Sequence, residues 1–332
     1  MEEYKYEYHG QFFLEADSLS MHFPARTDAF GRATSWIHAA DNVSFKVPKG
    51  KTLGIVGESG CGKSTVGKML MNIYQPTSGR VLYDGVDITH LSGRQRRPYV
   101  KKIQLVWQDP YSSLDPRMRA ETIIEEGMIN FLPELSAEQR REKMLQILNM
   151  CGLYEEHASF YPHQFSGGQR QRVCIARALS TDPELIVCDE AVSALDVSIQ
   201  AQIINLLMDL QEEMQLTYLF ISHDLNIVRF ISDEIIVMYL GQIVERGTME
   251  KVYLHRAHPY TKALFSATPV FIPGQKPEKK TLLQGDVISP VDPPAGCRFA
   301  SRCPYATEVC RKEDPPWRNL EEDHHVKCHL FA

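Results

Sequence analysis

The stretch Gly57-Glu58-Ser59-Gly60-Cys61-Gly62-Lys63-Ser64 decides how the rest of the chain is read. It satisfies GxxxxGK[ST] in full. Before it, Thr52–Val56 is a short apolar run bounded by glycine, the pattern of a buried strand. After it, residues 64–73 read as a helix. Three glycines let backbone N–H groups turn inward towards phosphate oxygens, and the helix adds the positive end of its dipole. In that setting Lys63 reaches β- and γ-phosphates, and Ser64 offers its hydroxyl oxygen to Mg²⁺. Cys61 reads as a small filler inside the loop.

Further along, Leu185-Ile186-Val187-Cys188 is a second apolar strand, and it ends in Asp189-Glu190. A carboxylate at the end of such a strand holds Mg²⁺ beside a phosphate loop, and a second one polarises the attacking water. Asp189 and Glu190 take those two places. No segment has the form of a protein-kinase catalytic loop, so water is the expected acceptor. From residue 185 onward, strands (185–188, 218–221, 235–239) alternate with helices (199–214, 225–231), which implies α/β architecture with a mostly parallel sheet. Residues 12–20, 39–47, 79–83 and 103–107 supply further strands, and residues 24–36 read as a loop. Residues 110–180 are mainly helical. Within them Met144, Ile147, Leu148 and Cys151 form an apolar stripe behind Ser136, with Gln139 placed to complete a capping box.

Composition narrows the classes. Against 42 Asp and Glu stand 36 Lys and Arg, a net charge of -6, so a dedicated nucleic-acid binder is disfavoured. The apolar runs fall well short of the roughly 20 residues of a membrane-spanning helix. The opening MEEYKYEYHG lacks the basic and apolar regions of a signal peptide, which points to a cytosolic chain without structural disulfides. Proline and cysteine crowd the end of the chain, marking a boundary near residues 250–260, and residues 270–295 read as extended. Cys297, Cys303, Cys310 and Cys328 suit zinc, an iron–sulfur cluster, or free thiols or disulfides; their spacing is neither the usual zinc pair nor the tight ferredoxin run. His324, His325 and His329 are expected to face solvent, with replacement of a cysteine ligand as the alternative.

Between the two phosphate motifs lies Phe165-Ser166-Gly167-Gly168-Gln169-Arg170-Gln171-Arg172, which resembles the signature of ABC-type ATPases. Gln108 resembles that family's Q-loop glutamine, Ser193-Ala194-Leu195-Asp196 its D-loop, and His223 its switch histidine. Phe23 matches the aromatic that stacks on adenine, with Tyr83 and Trp36 as competitors. The resemblance implies a P-loop NTPase fold of the ABC type, with a mixed sheet core, a helical subdomain at about 110–180 within a nucleotide-binding domain 1–255, and a small cysteine-containing domain 256–332. It implies two subunits sandwiching ATP. One supplies Phe23, Gly57, Glu58, Ser59, Gly60, Cys61, Gly62, Lys63, Ser64 and Thr65; the other supplies Ser166, Gly167, Gly168, Gln169 and Asp196. Catalysis then falls to Glu190, His223, Gln108 and Lys63, with Mg²⁺ held by Ser64, Gln108 and Asp189. One departure is Ala191, where the family usually has proline.

Asp115-Pro116-Arg117, His258-Pro259-Tyr260 and the tail segments Gly296-Cys297-Arg298-Phe299 and Arg302-Cys303-Pro304 resemble oligopeptide and dipeptide importers, in particular their F-type ATPase subunit. That implies a second, different ATPase subunit in the transporter (in isolation, a monomer or a weak homodimer), two permease subunits, an extracytoplasmic solute-binding protein, and a peripheral place on the cytoplasmic face of the membrane. Related importers of nickel complexes or glycosides, and soluble ABC ATPases without a permease, are the alternatives. The resemblance also favours a [4Fe-4S] cluster on the four cysteines, with zinc as the alternative. The cysteine site is expected to take no part in phosphoryl transfer.

Overall fold

The computed structural model describes residues 12–267 and 288–332. The opening MEEYKYEYHG and most of the run expected to be extended, up to residue 287, lie outside them. The chain divides into two compact units: Met1–Pro48, Thr52–His90 and His223–Ala332 form one, and Lys49–Lys51 with Leu91–Ser222 form the other.

In the first unit, strands Phe12–Thr27 and Ala33–Pro48 make a long antiparallel hairpin, extended by Ser78–Tyr83 and the short Val86–Asp87. The loop expected at residues 24–36 is therefore corrected: Pro24 pairs with Trp36 and Phe23 with Ile37, and only residues 28–32 turn. Asp28 Oδ1 accepts from the N–H groups of Phe30 (2.9 Å) and Arg32 (2.8 Å), and Gly31 takes φ 76°. The tip of this hairpin is mostly exposed on both faces, so it lacks the alternation by which a half-buried strand is recognised.

The fully buried Thr52–Val56 runs parallel to Glu234–Tyr239, which pairs antiparallel with Gln242–Thr248. Two strands from the tail, His324–Lys327 and Trp317–Glu321, continue the ladder antiparallel, so this part of the sheet is mixed.

The second unit holds three parallel strands in the order Thr217–Ile221, Leu185–Asp189, Ile103–Val106. Its helices include Ala120–Phe131, Ala137–Met150, Gly167–Leu179 and Val197–Met214. Helix Ala137–Met150 begins at the expected capping box: Gln139 N–H donates to Ser136 Oγ (3.2 Å), and Ser136 N–H donates to Gln139 Oε1 (2.8 Å). It buries Met144, Ile147 and Leu148, each worth about 1.5–3 kcal/mol by area.

Candidate nucleotide site

The loop at residues 57–64 is shaped by its glycines and closed by its lysine. Gly62 has φ 104° and caps helix Lys63–Leu70; a Cβ there would lie 2.0 Å from the Ala39 carbonyl oxygen. A Cβ on Gly57 would lie 2.3 Å from the Met238 carbonyl oxygen. Lys63 is buried, and its ammonium donates to the carbonyls of Gly57 (2.8 Å) and Glu58 (3.0 Å). Those are weak partners for a full charge, so an incoming phosphate improves on them. Burial pushes the Cys61 thiol up, leaving it protonated and without nucleophilic character.

Of the three aromatic candidates in this unit, Tyr83 is buried against Phe13, 4.7 Å between ring centroids, and has no free face. Phe23 is half-buried and meets Tyr74 edge-on at 5.4 Å; Trp36 is exposed. His223 is exposed, just before Asp224, which caps helix Leu225–Ile231.

In the second unit, buried strand Leu185–Asp189 carries Asp189 at its end. Glu190 follows in the left-handed region at φ 49°, a conformation that costs about 1–3 kcal/mol for a non-glycine residue. It is held there on several sides. Its N–H donates to the Ile221 carbonyl (2.9 Å), and its carbonyl accepts from Ser193 N–H (3.0 Å) and Ser193 Oγ (2.9 Å). Gln108 Nε2 donates to Glu190 Oε2 at 2.7 Å, so these two candidates meet directly. The strand ends at Asp189, and the left-handed turn at Glu190 is a feature invisible in the motif. Ala191, in place of proline, is buried.

Ser166 caps helix Gly167–Leu179 in a second capping box: Gln169 N–H donates to Ser166 Oγ (3.3 Å), and Ser166 N–H donates to Gln169 Oε1 (3.0 Å). Ser166 and Gly167 are exposed, while Gly168 is buried, where a Cβ would meet Ile199 Cγ2 at 2.6 Å. Asp196 is also exposed and caps helix Val197–Met214. Its carboxyl is held below the usual range, first by the Ser198 hydroxyl and then by the Ile199 N–H.

The tail is bound to the first unit by polar contacts. Glu245, fully buried, accepts from the N–H groups of Ala257 and His258 (2.8 Å each) and pairs with His324 Nε2 at 2.8 Å. His324 and His325 are buried, which corrects the expectation that these histidines face solvent. Arg302 forks onto Glu58 of the phosphate loop, Nη1 to Oε2 at 2.9 Å and Nη2 to Oε1 at 3.2 Å. Arg298 bonds the Leu240 carbonyl and Asp41.

The four tail cysteines converge. Burial first, then the thiols of Cys328, Cys310 and Cys303, pushes Cys297 up to about 11. Cys303 is coupled to Cys310, and Cys328 to both, so every pair among the four is within electrostatic reach. Among the described residues, no three of these sulfurs lie within 4.8 Å of one another. Zinc bonds of roughly 2.3 Å would draw tetrahedral sulfurs closer than that.

Residues 40–193 match the family described as ABC transporter, and residues 244–310 the family described as oligopeptide/dipeptide transporter, C-terminal region. The oligopeptide transport ATP-binding protein AppF of Bacillus subtilis (strain 168) is 48% identical over 321 residues, 96% of this chain and 97% of that protein. The chain belongs to the ABC transporter ATP-binding proteins of the peptide-importer family. The dipeptide transport ATP-binding protein DppF of Haemophilus influenzae is likewise 48% identical, over 91% of each chain. Among solved structures, the dimeric ATP-binding cassette MJ0796 in a post-hydrolysis state bound to ADP and Pi aligns with a TM-score of 0.64. It is 31% identical and covers 71% of this chain and 98% of its own.

This ABC cassette is thus an α/β P-loop ATPase with a mixed sheet, a helical subdomain and a cysteine-bearing C-terminal region, using ATP and Mg²⁺ as such cassettes do. The dimeric homologues support a second ATPase subunit as its partner. No helix among the described residues is long and apolar enough to cross a membrane. The contacts missed from sequence, Glu58–Arg302 and Glu245–His324, join residues 244 and 79 positions apart. The only local hint was an arginine beside each of two cysteines.

Proposed function

We propose that this cassette energises import of di- or oligopeptides through a membrane permease. The observation that carries the reading is the exposed Ser166–Gly167 cap: a helix N-terminus presented outward, where a second subunit's γ-phosphate can meet it. Its likeness to AppF and DppF, along the tail as well as the cassette, supports peptides as cargo. The partners are a second ATPase subunit, two permease subunits and an extracytoplasmic solute-binding protein. The place of action is the cytoplasmic face of the membrane. The division at residues 1–255 and 256–332 is the one we assign to these two tasks.

In this reading Phe23 stacks on adenine. The N–H groups of residues 57–65 and the Lys63 ammonium neutralise the phosphates, and Ser64, Asp189 and Gln108 hold Mg²⁺. Gln108 and Glu190 orient the water that attacks the γ-phosphorus; its proton passes to the Glu190 carboxylate as the P–O bond to the ADP leaving oxygen breaks. His223 senses the γ-phosphate. Ser166, Gly167, Gly168, Gln169 and Asp196 act on the ATP bound by the partner. Cys297, Cys303, Cys310 and Cys328 hold a [4Fe-4S] cluster, a choice favoured by the likeness of the tail to the peptide-transporter C-terminal region, with zinc as the alternative. Bound there, it crosslinks a tail whose apolar core is small.

Replacing Glu190 with Gln tests the assignment: phosphate release falls about 10²–10⁴-fold while MgATP binding persists and the ATP-bound dimer lives longer. Wild-type turnover in that variant removes Glu190 from the role of base. Anaerobic purification is expected to return about four irons per chain. Co-purification with two multi-span proteins from native membranes tests the transport role.

A further inference from the structure

We propose that Arg302 is a positioning residue for the phosphate loop, and that through it the four-cysteine site sets the affinity of this cassette for nucleotide. Glu58 is gripped at four atoms. Its carboxylate receives both prongs of the Arg302 guanidinium, at 2.9 and 3.2 Å. Its N–H donates to the hydroxyl of Tyr260 at 2.8 Å. Its carbonyl accepts from the Lys63 ammonium at 3.0 Å. A displacement of Glu58 therefore moves a partner of the lysine that neutralises phosphate. The arginine side of the fork is largely buried: the Arg302 side chain is 10% exposed against 33% for Glu58, and its guanidinium lies 5.9 Å from the centre of the Tyr239 ring. A forked, charge-assisted contact of this kind is directional, so it fixes position as well as charge.

The arm that carries Arg302 is short and tied at both ends to cysteine. Arg298 follows Cys297, and Arg302 precedes Cys303. Between them Phe299 packs edge-on against Tyr239 at 5.2 Å and lies 5.6 Å from Tyr260. The arm turns back on itself through Ala300 N–H to the Cys297 carbonyl (2.9 Å) and Arg302 N–H to the Phe299 carbonyl (3.0 Å). Arg298 bonds the Leu240 carbonyl, and the next residue, Gly241, donates its N–H to the carbonyl of Cys61 inside the loop (2.8 Å). Two routes thus run from the two cysteines to the loop, one ending on Glu58 and the other on Cys61. A group bound by Cys297 and Cys303 pins both ends of the arm; its loss frees them.

The proposal rests on residues 57–64 being the phosphate loop, so Lys63→Ala is measured alongside; MgATP binding that persists there overturns the loop reading and the proposal with it, whereas binding lost in Lys63→Ala but unchanged in the Arg302 variants overturns the role of Arg302 alone. On the full chain purified anaerobically, Arg302→Gln is expected to raise both Kd and KM for MgATP about tenfold while kcat changes less than about twofold. Arg302→Lys, which keeps the charge without the fork, recovers part of that loss and carries the test if the glutamine variant does not fold. Cys303→Ser, with metal content and visible spectrum recorded, weakens MgATP binding by a similar factor. In the Arg302→Gln background Cys303→Ser adds less than about twofold, because both act through one contact. Wild-type Kd in Arg302→Gln and Arg302→Lys overturns the proposal. So does a full, additive effect of Cys303→Ser on top of Arg302→Gln.

Discussion

At residues 57–64 the chain closes on itself: Lys63 bonds carbonyls five and six residues back, and left-handed glycines make the turn possible. The tail at residues 288–332 is held by distant partners instead, Glu245 to His324, Arg302 to Glu58 and Arg298 to Asp41. The loop's shape is written in consecutive residues and tolerates little change at any of them. The tail's position depends on a few buried polar contacts, each expensive to leave half-made. A loop of the first kind performs the same chemistry in many settings; a tail of the second kind reaches that loop through such contacts, Arg302 on Glu58 among them.

The sharpest way to break this contrast is at Gly62. Alanine there places a Cβ 2.0 Å from the Ala39 carbonyl oxygen in a backbone conformation that L-residues disfavour. Loss of MgATP binding by more than about 100-fold is expected, with the tail's hydrogen-exchange protection unchanged. Protection lost throughout the tail as well would make loop and tail one cooperative unit. Next comes Glu245→Ala, which strands the buried His324 ring and two backbone N–H groups. It should cost about 3–5 kcal/mol, read as faster exchange at residues 324–327 and faster proteolysis of the tail. An undisturbed tail would show that its cysteine site alone holds it.

The pH dependence of the tail junction sharpens the contrast further. Burial holds His258 at about 4, below its ordinary 6.5. Between those two values the unfolded chain binds a proton that the folded chain does not, so stability falls as pH drops from 6.5 towards 4 and levels below. Proton uptake on unfolding in that window should be reduced in His258→Gln by close to one. The smallest effect belongs to Ser136→Ala, which removes a cap remote in sequence from loop and tail. A loss of about 1 kcal/mol is expected, as a small drop in melting temperature with unchanged ATP turnover.

Much of the site was legible because phosphate chemistry imposes contiguous patterns. Gly57, Gly60, Gly62, Lys63 and Ser64 must stand in order around one phosphate chain, and Ser166-Gly167-Gly168 stand together at a helix start, where the structure adds a capping box with Gln169. Strands Thr52–Val56 and Leu185–Asp189 showed as unbroken apolar runs because they are wholly buried. The hairpin tip at 24–36 was missed because a strand exposed on both faces has no hydrophobic period. The tail strand His324–Lys327 was missed because its burial is of histidine paired with Glu245, a polar solution that composition reads as surface.

What consecutive residues determined, then, is the loop, the carboxylate strand, the signature cap and the count of thiols, since each depends on side chains a few positions apart on one element. Tertiary structure alone decided that Glu190 leaves its strand in the left-handed region to meet Gln108, and that Arg302 reaches Glu58. Both contacts join residues tens to hundreds of positions apart, and such partners are chosen by packing and burial, which no local pattern encodes.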